Sequence, residues 1–236
     1  MKNKKKTAFL FICMTTFDDT DISITRIESV FSVCHDICSL ELSHIQNLNA
    51  IPSWRNSCIE KLTIRNCGLT VPLQIGAKMK ELHVESLPLY ELFTNSMIGL
   101  HILTIKKCEN IQGCLNAYEM PHLKELKLIK NPNLLISNIP TSLAKLTIAH
   151  CDKITRIPFG GDSLTCIRLA GFPEIHDMSL LQFKHLFALH LYGFVALDRL
   201  QFPTSVKHIR LEVLQMPMLH VYDFPDWDVH ISDVFL

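Results

Sequence analysis

Apolar residues recur along this chain in pairs separated by one residue, and successive pairs are 20 to 23 residues apart. The second member of each pair, which we call the anchor, occupies nine positions: Leu42, Ile64, Val84, Ile105, Leu128, Ile148, Leu169, Leu191 and Leu211. An apolar residue also stands two positions before every anchor. A random apolar chain would soon lose phase, so this run of matches indicates a structural repeat.

The spacing within each pair predicts a strand. Side chains alternate between the two faces of an extended chain, so both members of a pair point inward and the residue between them points outward. Parallel stacking gives the inward residues of each turn neighbours above and below, which a single turn cannot supply. So short a turn leaves little room for a helix on the return side, and prolines at 52, 72, 121, 140, 158 and 203 disfavour one. We therefore expect a solenoid with extended, polyproline-like or short 3₁₀ return segments.

A third inward slot follows three positions after each anchor, and its residue types vary. Asn131 in this slot is predicted to bond the loop backbone inside the core, and Phe172 and Phe194 to thicken the core. The slot also holds Cys67, Cys108 and Cys151, each two turns from the next. A strand spacing of about 4.8 Å separates such cysteines by roughly 9 to 10 Å, beyond the ~7 Å limit for a disulfide. They are predicted to be buried free thiols in a reducing compartment.

The repeats span residues 22–231 as one domain of about 9 to 11 turns, counting weak turns at Ile22 and Ile24 and at Val229 and Ile231. Residues 1–21 are predicted to be an N-terminal cap or a targeting segment. A basic start and a short apolar stretch ending near Cys13 resemble a signal or lipoprotein segment, but no small-residue cleavage site follows. The alternative is a cap over the open end of the core. Residues 232–236 form a C-terminal tail.

The last repeat gathers acidic and histidine side chains that could suggest a metal site: His220, Asp223, Asp226, Asp228 and His230. They lie among aromatic residues that would cover the open end of a solenoid, and terminal repeats need a polar outer face. We favour capping and predict no metal. Catalytic motifs such as G-x-S-x-G are absent, and Cys151, although it lies between His150 and Asp152, is an inward residue whose thiol should be inert. The chain is therefore predicted to be non-enzymatic and to need no cofactor.

The charge balance narrows the classes of partner. Lysine plus arginine and aspartate plus glutamate both number 23, which gives a net charge of zero. A nucleic-acid or membrane-surface binder would carry a basic excess. No apolar run approaches the ~18 residues of a membrane span. These features favour a protein partner, with no nucleic acid and no membrane span.

The outward residues of the strands form a surface that we call the outer strand face. Its first row holds the residues between the pair members: Glu41, Thr63, His83, Thr104, Lys127, Thr147, Arg168, His190 and Arg210. Its second row follows each anchor: Ser43, Arg65, Glu85, Lys106, Ile129, Ala149, Ala170, Tyr192 and Glu212. The first row becomes basic toward the C-terminus, and arginine and tyrosine dominate protein-protein hot spots. An ordinary solvated face is the alternative for any single residue, but as candidate partner-binding residues we take Lys106, Lys127, Ile129, Arg168, His190, Tyr192 and Arg210.

The register resembles the leucine-rich-repeat superfamily over about nine tenths of the chain. IPTSLAKLTIAHCDKITRIP at 139–158 and FPTSVKHIRL at 202–211 are similar to the short repeats of bacterial effectors that carry a ubiquitin-ligase domain. LKELKLIKNPNLLISNIPTSLAKLTIAHCDKI, from residue 123, is similar to repeats of plant immune receptors. The resemblance implies an α/β leucine-rich-repeat solenoid, with a curved parallel sheet on the concave face and extended or 3₁₀ segments on the convex face. Since the chain departs from both families in having only repeats, a binding scaffold carries over and catalysis does not.

We expect a non-catalytic, monomeric protein-protein interaction scaffold that binds a partner protein on the concave face. Cytoplasmic action, as a small bacterial effector or adaptor secreted into a host cytosol, is the favoured role. Two alternatives stay open. The first is the substrate-recognition subunit of a ubiquitin-ligase assembly, which an F-box-like helical segment would indicate. The second is a cell-surface adhesin, which a lipidated Cys13 would indicate.

Overall fold

The computed structural model describes residues 8–13, 37–46, 48, 58–93, 97–116, 119–157, 160–211 and 229–231. Within them the paired apolar residues form one parallel sheet of 11 strands. In spatial order the strands are β1 (Ala8–Cys13), β2 (Ile37–Ser43), β3 (Lys61–Arg65), β4 (Glu81–Glu85), β5 (Ile102–Lys106), β7 (Glu125–Ile129), β9 (Lys145–Ala149), β10 (Cys166–Ala170), β12 (Ala188–Tyr192), β14 (His208–Leu211) and β15 (Val229–Ile231).

The return segments carry the four other strands, which form two short parallel ladders. β6 (Gly113–Leu115) pairs with β8 (Leu134–Ile136), and β11 (Asp177–Ser179) pairs with β13 (Arg199–Gln201). No α-helix occurs in the described part of the chain. The architecture is therefore a parallel β-solenoid with a repeat of about 21 residues.

The register confirms the predicted stacking of the apolar pairs. Leu62 lies opposite Leu82 and Ile64 opposite Val84, and the same pairing continues without a shift to β14. At the C-terminal end Ile231 lies opposite Leu211. At the N-terminal end β1 pairs with β2, with Ile12 opposite Leu42. The weak predicted turn at Ile22 and Ile24 lies outside the described residues.

The core is a set of leucine and isoleucine columns between the sheet and the return side. Pair members such as Leu40, Leu103 and Leu146 are 0% exposed. Full burial of such a side chain contributes roughly 1.5 to 3 kcal/mol, so the columns are the main source of stability. In the third inward slot Phe172 and Phe194 stack with ring centroids 5.4 Å apart, as expected from their place in the repeat.

Each strand of the central turns is followed by a residue with left-handed backbone conformation, two positions after the anchor. These residues are His44, Asn66, Ser86, Lys107, Lys130, His150, Gly171 and Gly193. The N–H of this residue donates to a carbonyl of the next turn, as from Lys130 to Ala149 at 2.8 Å and from His150 to Ala170 at 2.9 Å. Left-handed backbone is costly for most residues other than glycine. The inter-turn hydrogen bond offsets that cost and turns the chain out of the sheet.

Side chains in the third inward slot also form hydrogen bonds to the backbone. Asn131 is 0% exposed; its Nδ2 donates to the Ile105 carbonyl at 2.8 Å and its Oδ1 accepts from the Cys108 N–H at 3.1 Å. This confirms the predicted role of the amide. The thiol of Cys108 donates to the Lys106 carbonyl at 3.2 Å, and that of Cys67 does the same to Arg65. Cys67 and Cys108 therefore form hydrogen bonds to the backbone in this column, as Asn131 does.

Candidate functional site

The outer strand face presents the predicted rows side by side. Adjacent strands place His83 beside Thr63 and Thr104, and Arg168 beside Thr147 and His190. A third outward row lies three positions before each anchor: Ser39, Lys61, Glu81, Ile102, Glu125, Lys145, Cys166, Ala188 and His208. The face is thus a strip three side chains wide along the sheet.

Ion pairs cover the N-terminal half of this face, from β2 to β7. Arg65 lies 3.7 Å from Glu41 and 4.0 Å from Glu85, and Lys107 lies 3.6 Å from Glu85. Lys61 pairs with Glu81 at 3.0 Å. These pairs are partly exposed, so each contributes only a fraction of a kcal/mol to about 1 kcal/mol. Their effect is to neutralise this half of the surface.

The same half buries polar residues beneath its longer side chains. Thr63 and Thr104 lie in the first outward row, yet they are only 5% and 6% exposed. His83 lies between them, and burial, helped by the Lys61 charge, lowers its pKa. A lowered pKa keeps the imidazole neutral at neutral pH, although its Nε2 lies 3.8 Å from a Glu81 oxygen.

Lys127 belongs to this neutralised half. Its ammonium pairs with Glu125, and this hydrogen bond is the main cause of the lowered pKa of that carboxyl. Lys106 and Ile129 are half-buried neighbours in the second row. Of the seven residues predicted to bind a partner, these three therefore lie among ion-paired or partly covered side chains.

The C-terminal half of the face, from β9 to β14, has a different charge. Its strands read KLTIA, CIRLA, ALHLY and HIRL and contain no carboxylate. Strands β2, β3, β4, β5 and β7 carry four, Glu41, Glu81, Glu85 and Glu125, and each has a cation within 4.0 Å. The four carboxylates of the described strands therefore all lie in the N-terminal half, and the described strands of the C-terminal half carry only positive charge.

Arg168 lies at the centre of that half. Its side chain is exposed and has no ion-pair partner within 4.0 Å among the described residues. Beside it the second row provides the small side chains of Ala149 and Ala170, followed by half-buried Tyr192. His190 is half-buried next to Arg168, and the backbone of Arg210 pairs with His190 in register.

Three further residues belong to this half and were not among those predicted. Lys145 and His208 begin β9 and β14 in the third row. Phe187, just before β12, is 47% exposed, and its ring meets that of His208 edge-on with centroids 4.7 Å apart. Their regular spacing of three or four positions before the anchor could have revealed them, but the predicted face comprised only the first and second outward rows.

The cysteine that lies between a histidine and an aspartate in the sequence is buried. Cys151 is 1% exposed, and burial raises the pKa of its thiol, so the thiolate needed for attack is disfavoured. Cys67 and Cys108 are likewise buried and form no disulfide, as predicted. A cavity of about 460 Å³ among return-side residues such as Phe93 and Gln112 contains an exposed thiol, Cys114, and no histidine.

The described part of the chain contains no group of three or more metal-ligating side chains, and the acidic and histidine cluster between His220 and His230 falls almost wholly outside it. Nor does any helix there have the length and apolar character to cross a membrane.

The geometry defines the class of protein: a parallel β-solenoid repeat with an exposed, asymmetrically charged strand face. No family model matches the sequence, and comparisons with curated proteins and with solved structures give no match.

Proposed function

We propose that this chain is a non-catalytic scaffold that binds another protein on its outer strand face. The observation that carries the proposal is the charge division of that face: its N-terminal half is neutralised by ion pairs, and its C-terminal half presents Arg168 without an ionic partner. An exposed arginine and a half-buried tyrosine beside small apolar residues have the composition of protein-protein hot spots. A strip of rigid strands also holds such side chains in fixed positions.

We further propose that the chain is a leucine-rich-repeat solenoid that acts in a cytosol as a small effector or adaptor. The L-x-L strands, the short return segments and the bonded Asn131 support the repeat type. Cys67, Cys108 and Cys151 are buried and form no disulfide, which supports a reducing compartment, where such thiols persist.

Site-directed photo-crosslinking tests the proposal. Thr147 lies in the first outward row beside Arg168, whereas Thr155 is exposed on the return side. Each is replaced in turn by p-benzoylphenylalanine, the protein is illuminated in host-cell cytosol, and the adducts are identified by mass spectrometry. We expect one protein to be captured from position 147 and not from position 155.

Two results would contradict this function. Equal capture at the two positions would show that the crosslinked protein does not recognise the strand face. Absence of any adduct at position 147, with the variant still folded by circular dichroism, would remove partner binding on this face.

A further inference from the structure

We propose that the partner presents an acidic segment, with closely spaced carboxylates beside an apolar side chain, to the β9–β14 half of the outer strand face. This inference rests on the proposed function and adds to it the chemistry of the partner. It follows from the charge division of the face, from the spacing of its cations and from the small side chains beside them.

Charge complementarity selects which half is used. From β2 to β7 the outward side chains comprise four carboxylates and the cations Lys61, Arg65, Lys106 and Lys127, so the charges balance, and a charged ligand would compete with the ion pairs that all of these residues except Lys106 make. Strands β9, β10, β12 and β14 contain the charged residues Lys145, Arg168 and Arg210, all positive, and Glu212 of the second row follows β14 outside the described residues. Lys145 and Arg168 have no ion-pair partner within 4.0 Å among the described residues, so an acidic ligand that lies across β9 and β10 gains new ion pairs with both.

Glu125, the carboxylate of the described strands that lies next to this half, compensates it only in part: the Lys127 hydrogen bond is the main cause of its lowered pKa, and the Lys145 charge contributes less. Glu125 lies opposite Lys145 in register but is already hydrogen-bonded to Lys127. Lys145 remains exposed at the edge of the strip and lies on the strand next to that of Arg168. Both cations are therefore available to a ligand that lies across β9 and β10.

The spacing of the two cations fits carboxylates on one protein segment. Lys145 is two positions before Thr147, the partner of Arg168, so the two Cα atoms are diagonal neighbours about 7 to 8 Å apart. Alternate residues of an extended segment are about 6.6 Å apart and point to the same side. Two glutamates or aspartates with one residue between them can therefore reach Lys145 and Arg168 together.

The small apolar side chains beside the cations favour a protein ligand over a nucleic acid. Ala149 and Ala170 leave a shallow apolar strip that ends at Tyr192, and the other exposed ring of this half, Phe187, lies before β12 outside the three rows and contacts His208 edge-on. Single-stranded nucleic acids are usually bound by several stacking rings and an extended basic groove. An apolar side chain next to the carboxylates fits the strip better.

Selection of random dodecapeptides by mRNA display tests this inference. The full chain is compared with the double variant Lys145→Glu/Arg168→Glu. The matched control, Lys153→Glu/Lys184→Glu, changes the net charge equally at exposed positions outside the strand face. Peptides selected by the wild type should be enriched in aspartate and glutamate over the starting library. By fluorescence anisotropy they should bind the strand-face variant on the order of tenfold or more weakly and the control almost unchanged.

The outcomes separate this inference from the proposed function. Selected peptides without acidic enrichment that still compete with the photo-crosslinked partner would overturn the acidic chemistry and leave the scaffold function intact. Acidic peptides that bind both variants equally would overturn the assigned surface. Tighter, Arg168-dependent binding to a random single-stranded RNA pool than to the selected peptides would overturn the inference in favour of a nucleic acid.

Discussion

The side chain of Asn131 forms two buried hydrogen bonds to the backbone of the preceding turn. Its amide satisfies the Cys108 N–H and the Ile105 carbonyl, which have no access to water in the core. Leaving a buried donor or acceptor unsatisfied costs about 1 to 3 kcal/mol for each group. The slot therefore contributes stability through hydrogen bonds in a column that is otherwise apolar or sulfur-containing.

Asn131→Leu should lower the free energy of unfolding by about 2 to 4 kcal/mol, because two backbone groups lose their partner. Asn133→Leu is the matched control, since its amide bonds the Glu109 carbonyl at 2.9 Å in an exposed position. The control should cost less than about 1 kcal/mol. Urea unfolding measures both variants; equal losses would contradict the role given to Asn131.

The buried thiols of Cys108 and Cys151 predict a loss of stability at alkaline pH. Burial raises the pKa of both thiols, so the unfolded chain ionises them at lower pH than the folded chain does. Their contribution is complete below the unfolded thiol pKa of about 8.5 and decreases as the pH rises above it, by at most about 1.4 kcal/mol per thiol and pH unit.

The double variant Cys108→Ala/Cys151→Ala should be less stable than the wild type near neutral pH, because cavities replace the sulfur atoms. It should nevertheless lose less stability between about pH 7.5 and about pH 9.5. Urea midpoints at the two pH values give the comparison. Parallel losses in the two proteins would show that these thiols do not ionise on unfolding.

At the scale of the element, the repeated unit is a strand followed by one left-handed residue. The strand could be predicted from the sequence because alternate apolar residues such as Leu146 and Ile148 share one face. The left-handed residue could not, because histidine, asparagine, serine, lysine and glycine all occupy the position. The inter-turn hydrogen bond imposes that conformation, and nothing in the local sequence encodes such a bond.

Glycine substitutions at two adjacent lysines test the left-handed conformation after the strand. Lys107 has a φ of 51°, whereas Lys106 lies in strand β5. Lys107→Gly should leave stability within about 0.5 kcal/mol of the wild type or raise it, because glycine removes the left-handed strain. Lys106→Gly should destabilise by about 1 kcal/mol, because glycine weakens a strand. Thermal unfolding of the two variants gives the answer, and an equal cost would contradict the left-handed assignment.

At the scale of the whole molecule, the solenoid divides its outer strand face into a neutral and a basic half. The basic trend through Arg168 could be predicted, because the repeat fixes which residues face outward. Neutralisation of Lys127 by Glu125 and the contribution of Lys145 were missed, because both require the third outward row. The zero net charge of the chain conceals this asymmetry, since composition does not record position.

The measurement that tests the central claim most directly is the affinity of the purified, crosslink-identified partner for three proteins. These are the wild type, Lys145→Glu/Arg168→Glu and Lys153→Glu/Lys184→Glu. All three should unfold within about 0.5 kcal/mol of one another, because every substituted side chain is exposed. By isothermal titration calorimetry, the strand-face variant should bind on the order of tenfold or more weakly, and the control should match the wild type. Wild-type affinity in the strand-face variant, or an equal loss in the control, would contradict partner binding at this face.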